Sequence, residues 1–303
     1  DRVMWIFLAF LSACLLGFYD VFKKQSLQGN AVLPVLMINT SVCALFFLPL
    51  IVSSACGMSM VVPCGGWHEH ALVLVKAVIV LSSWVCGYYA MKHLPLTIVG
   101  PINATRPVMT LVGALLIYGE SLNLWQWAGV LLAIVSFFLL SRSGKKEGIC
   151  FSHNGWICLL VIAAFLGAIS GLYDKYLMAP VTEGGAGLNR YFVQAWYNQY
   201  QAVMMTIVML LIWLPQRKRT SPFKWRWSIL LISLFLTAAD MAYFYALSCP
   251  GAMIAVVSMV RRGSVIVSFA FGAMLMKEKN LRSKAIDLFF VLLGMICLFI
   301  GSR

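Results

Sequence analysis

Apolar stretches of about 20 residues recur roughly every 30 residues along the whole of this chain. A helix rises 1.5 Å per residue, so each stretch is long enough to cross the ~30 Å hydrocarbon layer of a bilayer. Lipid offers no partner to an unbonded backbone amide, which leaves helices or closed barrels as the only spanning structures. The runs are too long and too continuous for barrel strands. They predict an all-α integral membrane protein with ten spans, near 3–24, 31–53, 71–91, 95–117, 124–141, 155–176, 191–214, 228–247, 252–276 and 285–301. With 62% of the 303 residues hydrophobic and 11% charged, little chain remains for a soluble domain. The first apolar run begins directly after Asp1 and Arg2 with no cleavage site before its polar exit, so no removable signal peptide is expected.

The net charge of +13 would suggest nucleic acid as the partner of a soluble protein. In a membrane protein it has to be counted loop by loop, because Lys and Arg collect on the cytoplasmic side. One side gathers Lys23, Lys24, Lys92, Arg142, Lys145, Lys146, Arg217, Lys218, Arg219, Lys224, Arg226, Lys277, Lys279, Arg282 and Lys284; the other has little beyond Arg2, Arg190 and Arg303. The bias predicts cytoplasmic basic loops, both termini outside, a bacterial cytoplasmic membrane as the location, and no nucleic-acid partner. A monomer or a homodimer is expected.

Nine cysteines show no zinc or haem spacing. Cys56 and Cys64 share one Gly/Pro-containing loop and would form a disulfide if that loop faces an oxidising compartment. His68, His70, His93 and His153 form no metal-binding helix pattern, and no phosphate-cradling glycine loop is present. No cofactor, no metal and no enzymatic activity are expected.

The two halves repeat. "GFYD" at Gly17–Asp20 returns as "GLYD" at Gly171–Asp174, and "GYYAMKHLP" at Gly87–Pro95 returns as "YFYALSCPG" at Tyr243–Gly251. Aligning Tyr89-Ala90 with Tyr245-Ala246 sets Arg106 opposite Arg262 without a gap. Five spans is an odd number, so the second copy enters the membrane upside down; the expected domains are 1–145 and 146–303. Inverted repeats of this kind bind their solute near the bilayer midplane, between the halves.

The five-plus-five arrangement, "YGES" at Tyr118–Ser121 with its counterpart "KEKN" at Lys277–Asn280, and the closing spans "LWQWAGVLLAIVSFFLL" and "AIDLFFVLLGMICLFIG" resemble the drug/metabolite transporter superfamily with paired EamA-type halves. The resemblance covers essentially the whole chain. It implies a transporter. Characterised ten-helix members keep both termini in the cytoplasm, whereas the charge bias here places them outside.

Arg106 lies about 11 residues into the fourth span and Arg262 about 10 into the ninth, so both sit roughly 15–17 Å deep. A charge there costs several kcal/mol against lipid and has to face the bundle interior with a partner. Asn103 and Thr110, at i−3 and i+4 from Arg106, extend a narrow polar stripe. Asp240 reaches the same depth on span eight and offers Arg262 a structural salt bridge. With Arg261 beside Arg262, three cations against one carboxylate leave a positive surplus that a bound anion would neutralise, and guanidinium forks meet carboxylate or phosphate oxygens bidentately. The resemblance to plastid-type sugar-phosphate translocators implies the same: that branch holds phosphate with a basic residue in helix four and an adjacent basic pair in helix nine, where Arg106 and Arg261-Arg262 stand.

Asp20 falls near one end of its span and Asp174 near the opposite end of its own, so Tyr19/Asp20 and Tyr173/Asp174 are expected either to act in gates or a proton relay, or to sit as interfacial pairs with Lys23, Lys24 or Lys175. On span seven, Gln194, Tyr197, Asn198 and Gln201 recur at helical spacing as a face too polar for lipid. Asn39, Tyr89 and Tyr245 are further lining candidates. Together these features predict a secondary transporter moving a small anionic metabolite by alternating access, by exchange or proton coupling. The alternatives are an exporter of amino acids or amphipathic cations, and a membrane enzyme or flippase for a lipid-linked phosphate, which lacks any acid/base pair at plausible spacing.

Overall fold

A computed structural model of the chain describes residues 2–58, 61–106, 108–109, 123–145, 154–178, 181–218, 220–248, 260–275 and 281–301. Among them there is no strand. The helices are α1 (Arg2–Leu27), α2 (Val32–Ala55), α3 (Trp67–His93), α4 (Leu96–Ala104), α5 (Leu124–Lys145), α6 (Gly155–Met178), α7 (Arg190–Gln216), α8 (Ser228–Ser248), α9 (Ser264–Leu275) and α10 (Leu281–Gly301). Val32–Ala55, Trp67–His93, Gly155–Asp174 and Arg190–Gln216 are long and apolar enough to cross a membrane by length and composition.

Polar side chains tie off the helix ends, where backbone groups lack intrahelical partners. Asn189 Oδ1 accepts the Tyr191 amide at the start of α7, and Glu69 reaches back to the Gly66 amide at the start of α3. At the far end of α3, Lys24 Nζ donates to the carbonyls of Met91 (2.6 Å) and Leu94 (2.5 Å), placing a cation on the negative end of the helix. Gly29, with φ of 62°, makes the α1–α2 turn; next to it, Asn30 binds both the N–H and the C=O of Lys224 and so pins the loop before α8 to that turn.

The main packed pairs are α1 with α8, α3 with α6, α2 with α7 and α8, α3 with α7, α9 with α1 and α4, and α5 with α10. Gly17 is where α1 and α9 meet most closely: a Cβ there would stand 2.5 Å from Val267 Cβ. A central apolar cluster formed by α1–α4, α6, α7 and α8 holds Leu36, Tyr88, Met91, Ile98, Leu160, Met205 and Ile232.

Two helices depart from the uninterrupted spans expected over 95–117 and 252–276. The first tightens after Ala104, with Thr105 N bonded to Ile102 O and Val108 N to Thr105 O; the second turns at Gly263, with Gly263 N bonded to Val260 O and Ile266 N to Gly263 O. Pro107, which lacks an N–H, follows the first break, and glycine makes the second. Each break lies beside an intramembrane arginine. A third irregularity is the wide π-type turn Met209–Trp213 inside α7.

Candidate functional site

Arg106 follows the α4 break and carries its guanidinium against α6, where Gly167 leaves the room: a Cβ on Gly167 would lie 2.9 Å from Arg106 Cζ. The side chain is within electrostatic reach of Asp20 and Tyr19 on α1. Three residues before it, Asn103 Oδ1 is buried with no hydrogen-bond partner among the described residues. Thr110 lies outside the described residues.

Arg262 precedes the α9 break. The charges of Arg106 and Arg261 both bear on it, so guanidinium groups from α4 and from the segment before α9 share one region of the interior. Asp240 of α8 takes Arg261, not Arg262, as its ion-pair partner. This corrects the expected Asp240–Arg262 bridge. The cause is angular: neighbours on a helix point about 100° apart, and it is Arg261 whose guanidinium also lies 4.4 Å over the Tyr243 ring of α8.

On α1, Asp20 pairs with Lys23 at 3.0 Å, and Lys23 Nζ lies 4.3 Å over the Tyr19 ring and 5.2 Å from that of Tyr88. Tyr88 Oη accepts from Asn39 Nδ2 (3.0 Å), while Asn39 Oδ1 accepts from Ser233 Oγ of α8 (2.9 Å). The Asn39 amide is thereby engaged by protein at both its nitrogen and its oxygen. Tyr19 and Asp20 belong to this buried network near the end of α1, in reach of Arg106, and the Asp20–Lys23 pair is one of the two arrangements expected for this motif.

The polar face of α7 is buried as its spacing predicts. Gln194, Tyr197, Asn198 and Gln201 are all nearly inaccessible. Asn198 bonds back to Gln194 O, but neither amide atom of Gln201, 1% exposed, finds a hydrogen-bond partner among the described residues. Above this face, Asp174 of α6 pairs with Lys76 of α3, whose Nζ lies 5.1 Å over the Tyr197 ring. Tyr173 Oη donates to Leu72 O (3.1 Å), a second link between α6 and α3.

Lys76, 6% exposed in the apolar run of α3, is a residue the sequence reading passed over, although a charge inside an apolar run calls for a partner there too, at a shallower depth than Arg106. Gly167 and Tyr88 were missed as well. Of the repeated aromatic motif, Tyr88 is buried, Tyr89 is partly buried against the core, and Tyr245 is 58% exposed. Lys23, Lys24 and Lys284, counted as loop charges, are buried; each belongs to the end of a helix. Cys56 and Cys64 are both free, exposed thiols. His70 sits in an aromatic box, with Nδ1 2.7 Å from Tyr200 Oη and its ring edge-on to Trp196.

Comparison with known proteins addresses the fold and the family. A crystal structure of a protein matches over 100% of this chain and 99% of its own with a TM-score of 0.64 at 12% identity, one of 23 solved chains that resemble it. No curated protein matches the sequence. Residues 3–142 match the model of the EamA-like transporter family, and this stretch carries α1–α3, the broken α4 with Arg106, and most of α5. Residues 3–142 are thus similar to the EamA-like transporter family, a match that supports membership of the drug/metabolite transporter superfamily.

Proposed function

We propose that this protein is a transporter that moves a small anionic metabolite, phosphorylated or carboxylated, by alternating access between two inverted five-helix halves, 1–145 and 146–303. The observation that carries the reading is Arg106 and Arg262, from matched positions of the two halves, sharing the interior beside two helix breaks. Broken helices at mid-membrane are the usual frame of a transporter's solute site. The packing supports the two-fold relation: exchanging α1 with α6, α2 with α7, α3 with α8, α4 with α9 and α5 with α10 turns α1–α8 into α3–α6 and α2–α8 into α3–α7, and leaves α2–α7, α4–α9 and α5–α10 as they are.

Charge supports the choice of solute. Among the described residues, this part of the interior holds the cations Lys23, Lys76, Arg106, Arg261 and Arg262 against the carboxylates Asp20, Asp174 and Asp240. Each of these three carboxylates already has a cationic partner, and the guanidinium forks of Arg106 and Arg262 suit a carboxylate or phosphate group. Gln201 adds a buried amide able to donate to a solute oxygen through Nε2 and to accept from a hydroxyl through Oε1, and Asn103 Oδ1 adds a buried acceptor for a hydroxyl. The basic loops lie in the cytoplasm and both termini outside, with Lys23, Lys24 and Lys284 removed from the loop count.

Thermal unfolding of the detergent-purified protein tests this. Phosphate esters and organic acids raise Tm in a concentration-dependent way that Arg262→Ala abolishes, and cationic dyes do not. Stabilisation by the dyes alone overturns the reading in favour of export of cations.

A further inference from the structure

Asp174 and Lys76 form a buried cross-helix ion pair that the arginine site does not use. Its two members are unequally placed. The Asp174 side chain is 35% exposed and the Lys76 side chain 7%, so the carboxylate stands toward the end of the bundle where α3 starts and α6 stops, with the ammonium behind it. The Tyr197 ring lies beneath the ammonium and is itself in electrostatic reach of both Asp174 and Asp240. Tyr173 fastens the same two helices together at Leu72. The ion pair and this hydrogen bond join α3 and α6 just above the polar face of α7.

Such a pair cannot simply come apart. Separating α3 from α6 strands an ammonium and a carboxylate in a low-dielectric interior, and a single uncompensated buried charge is strongly unfavourable. Both charges have to be met at once. A proton arriving from the exposed side neutralises the carboxylate, and an anion takes its place on the ammonium. Resting on the anionic-solute reading, we propose that Lys76–Asp174 is the outer gate and the coupling site of the transporter, at which one proton binds an Asp174 oxygen while one anionic group of the solute binds Lys76 Nζ. The proton and the anionic charge enter together, the net charge at the gate is unchanged, and the solute passes from Lys76 across Tyr197 toward Arg106 and Arg262. As the solute leaves Lys76 its anionic group takes the proton from Asp174, the ion pair forms again behind it, and the proton is released with the solute on the other side. The proton–anion pair, not an exchanged anion, then drives uptake.

The groups that bear on Asp174 are Lys76 from α3, Tyr173 on its own helix and Tyr197 from α7. Near this end, on the first turn of α3, the imidazole of His70 is held by Tyr200 at 2.7 Å.

The test measures opening of the gate by labelling. In a variant with the native cysteines replaced, Val80→Cys places a thiol one turn below Lys76, and its reaction with a membrane-impermeant maleimide is followed in proteoliposomes at external pH 5.5 and 7.5, with and without inorganic phosphate. Acid and phosphate together speed labelling about tenfold or more. Asp174→Asn removes the acid effect and keeps the phosphate effect; Lys76→Met removes the phosphate effect; Lys76→Met/Asp174→Asn, which deletes both charges, labels fast under every condition and guards against misfolding of the single variants. His70→Gln retains the acid effect. Acid dependence that survives in Asp174→Asn, or labelling of the parent that ignores both acid and phosphate, overturns the proposal. If the gate responds to acid alone while anions still raise Tm through Arg262, the coupling is wrong and the anionic-solute reading stands. If anions neither raise Tm nor speed labelling, both fall.

Discussion

The Arg106 guanidinium lies against the α carbon of Gly167, so closely that a Cβ there would stand 2.9 Å from Cζ. Gly167→Ala therefore has to displace the end of a flexible side chain, which costs little, and it gains up to about 1 kcal/mol of helix propensity. Stability changes by less than about 1 kcal/mol, but Arg106 moves. Titrating the purified variant with the anion that stabilises the parent shows a Kd raised about tenfold at nearly unchanged Tm.

The two copies of the Gly-x-Tyr-Asp motif differ in what surrounds their glycines. A Cβ on Gly17 meets Val267 and the Ser264 carbonyl, whereas one on Gly171 meets nothing within 4 Å. Gly17→Ala destabilises by about 1–3 kcal/mol through overpacking of α1 on α9, and Gly171→Ala is neutral or stabilising by up to about 1 kcal/mol. Parallel denaturation in detergent separates the two.

Asp240 holds Arg261 in a half-buried ion pair. Asp240→Asn leaves that guanidinium without its carboxylate and lowers stability by about 3 kcal/mol, and Arg261→Met/Asp240→Leu recovers most of the loss. A double-mutant cycle on unfolding free energies is the measurement.

Lys24 caps the end of α3 through two short charged bonds to Met91 and Leu94 carbonyls. Lys24→Met costs about 1.5–3 kcal/mol and frees the last turn of α3. Hydrogen exchange at residues 90–95 quickens in the variant while that at the start of the helix does not.

The helical class and most span positions were legible because lipid imposes one simple requirement on length and polarity, and runs such as Val32–Ala55 satisfy it in full. Arg106 and Arg262 stood out for the same reason: a charge in an apolar run has few explanations. Lys76 had the same signal and was obscured only because no repeat drew attention to it. Angular detail was not legible. A repeat sets Tyr89 opposite Tyr245, but one residue turns a helix by about 100°, and it is Tyr88 that enters the network. The same turn decides that Asp240 meets Arg261 in place of its neighbour. Helix ends were blurred by a few residues, enough to count Lys23, Lys24 and Lys284 with the loops although packing buries them.

The π-type turn Met209–Trp213 carries one residue more than a regular turn and so advances the phase of α7 by about 100° partway along its length. Before the turn, the buried face carries amides and a phenol; within the turn, Leu210, Leu211 and Ile212 are exposed. Excising a single residue from this bulge would swing the closing residues of the helix, Leu214–Gln216, by about 100° about its axis relative to that polar face.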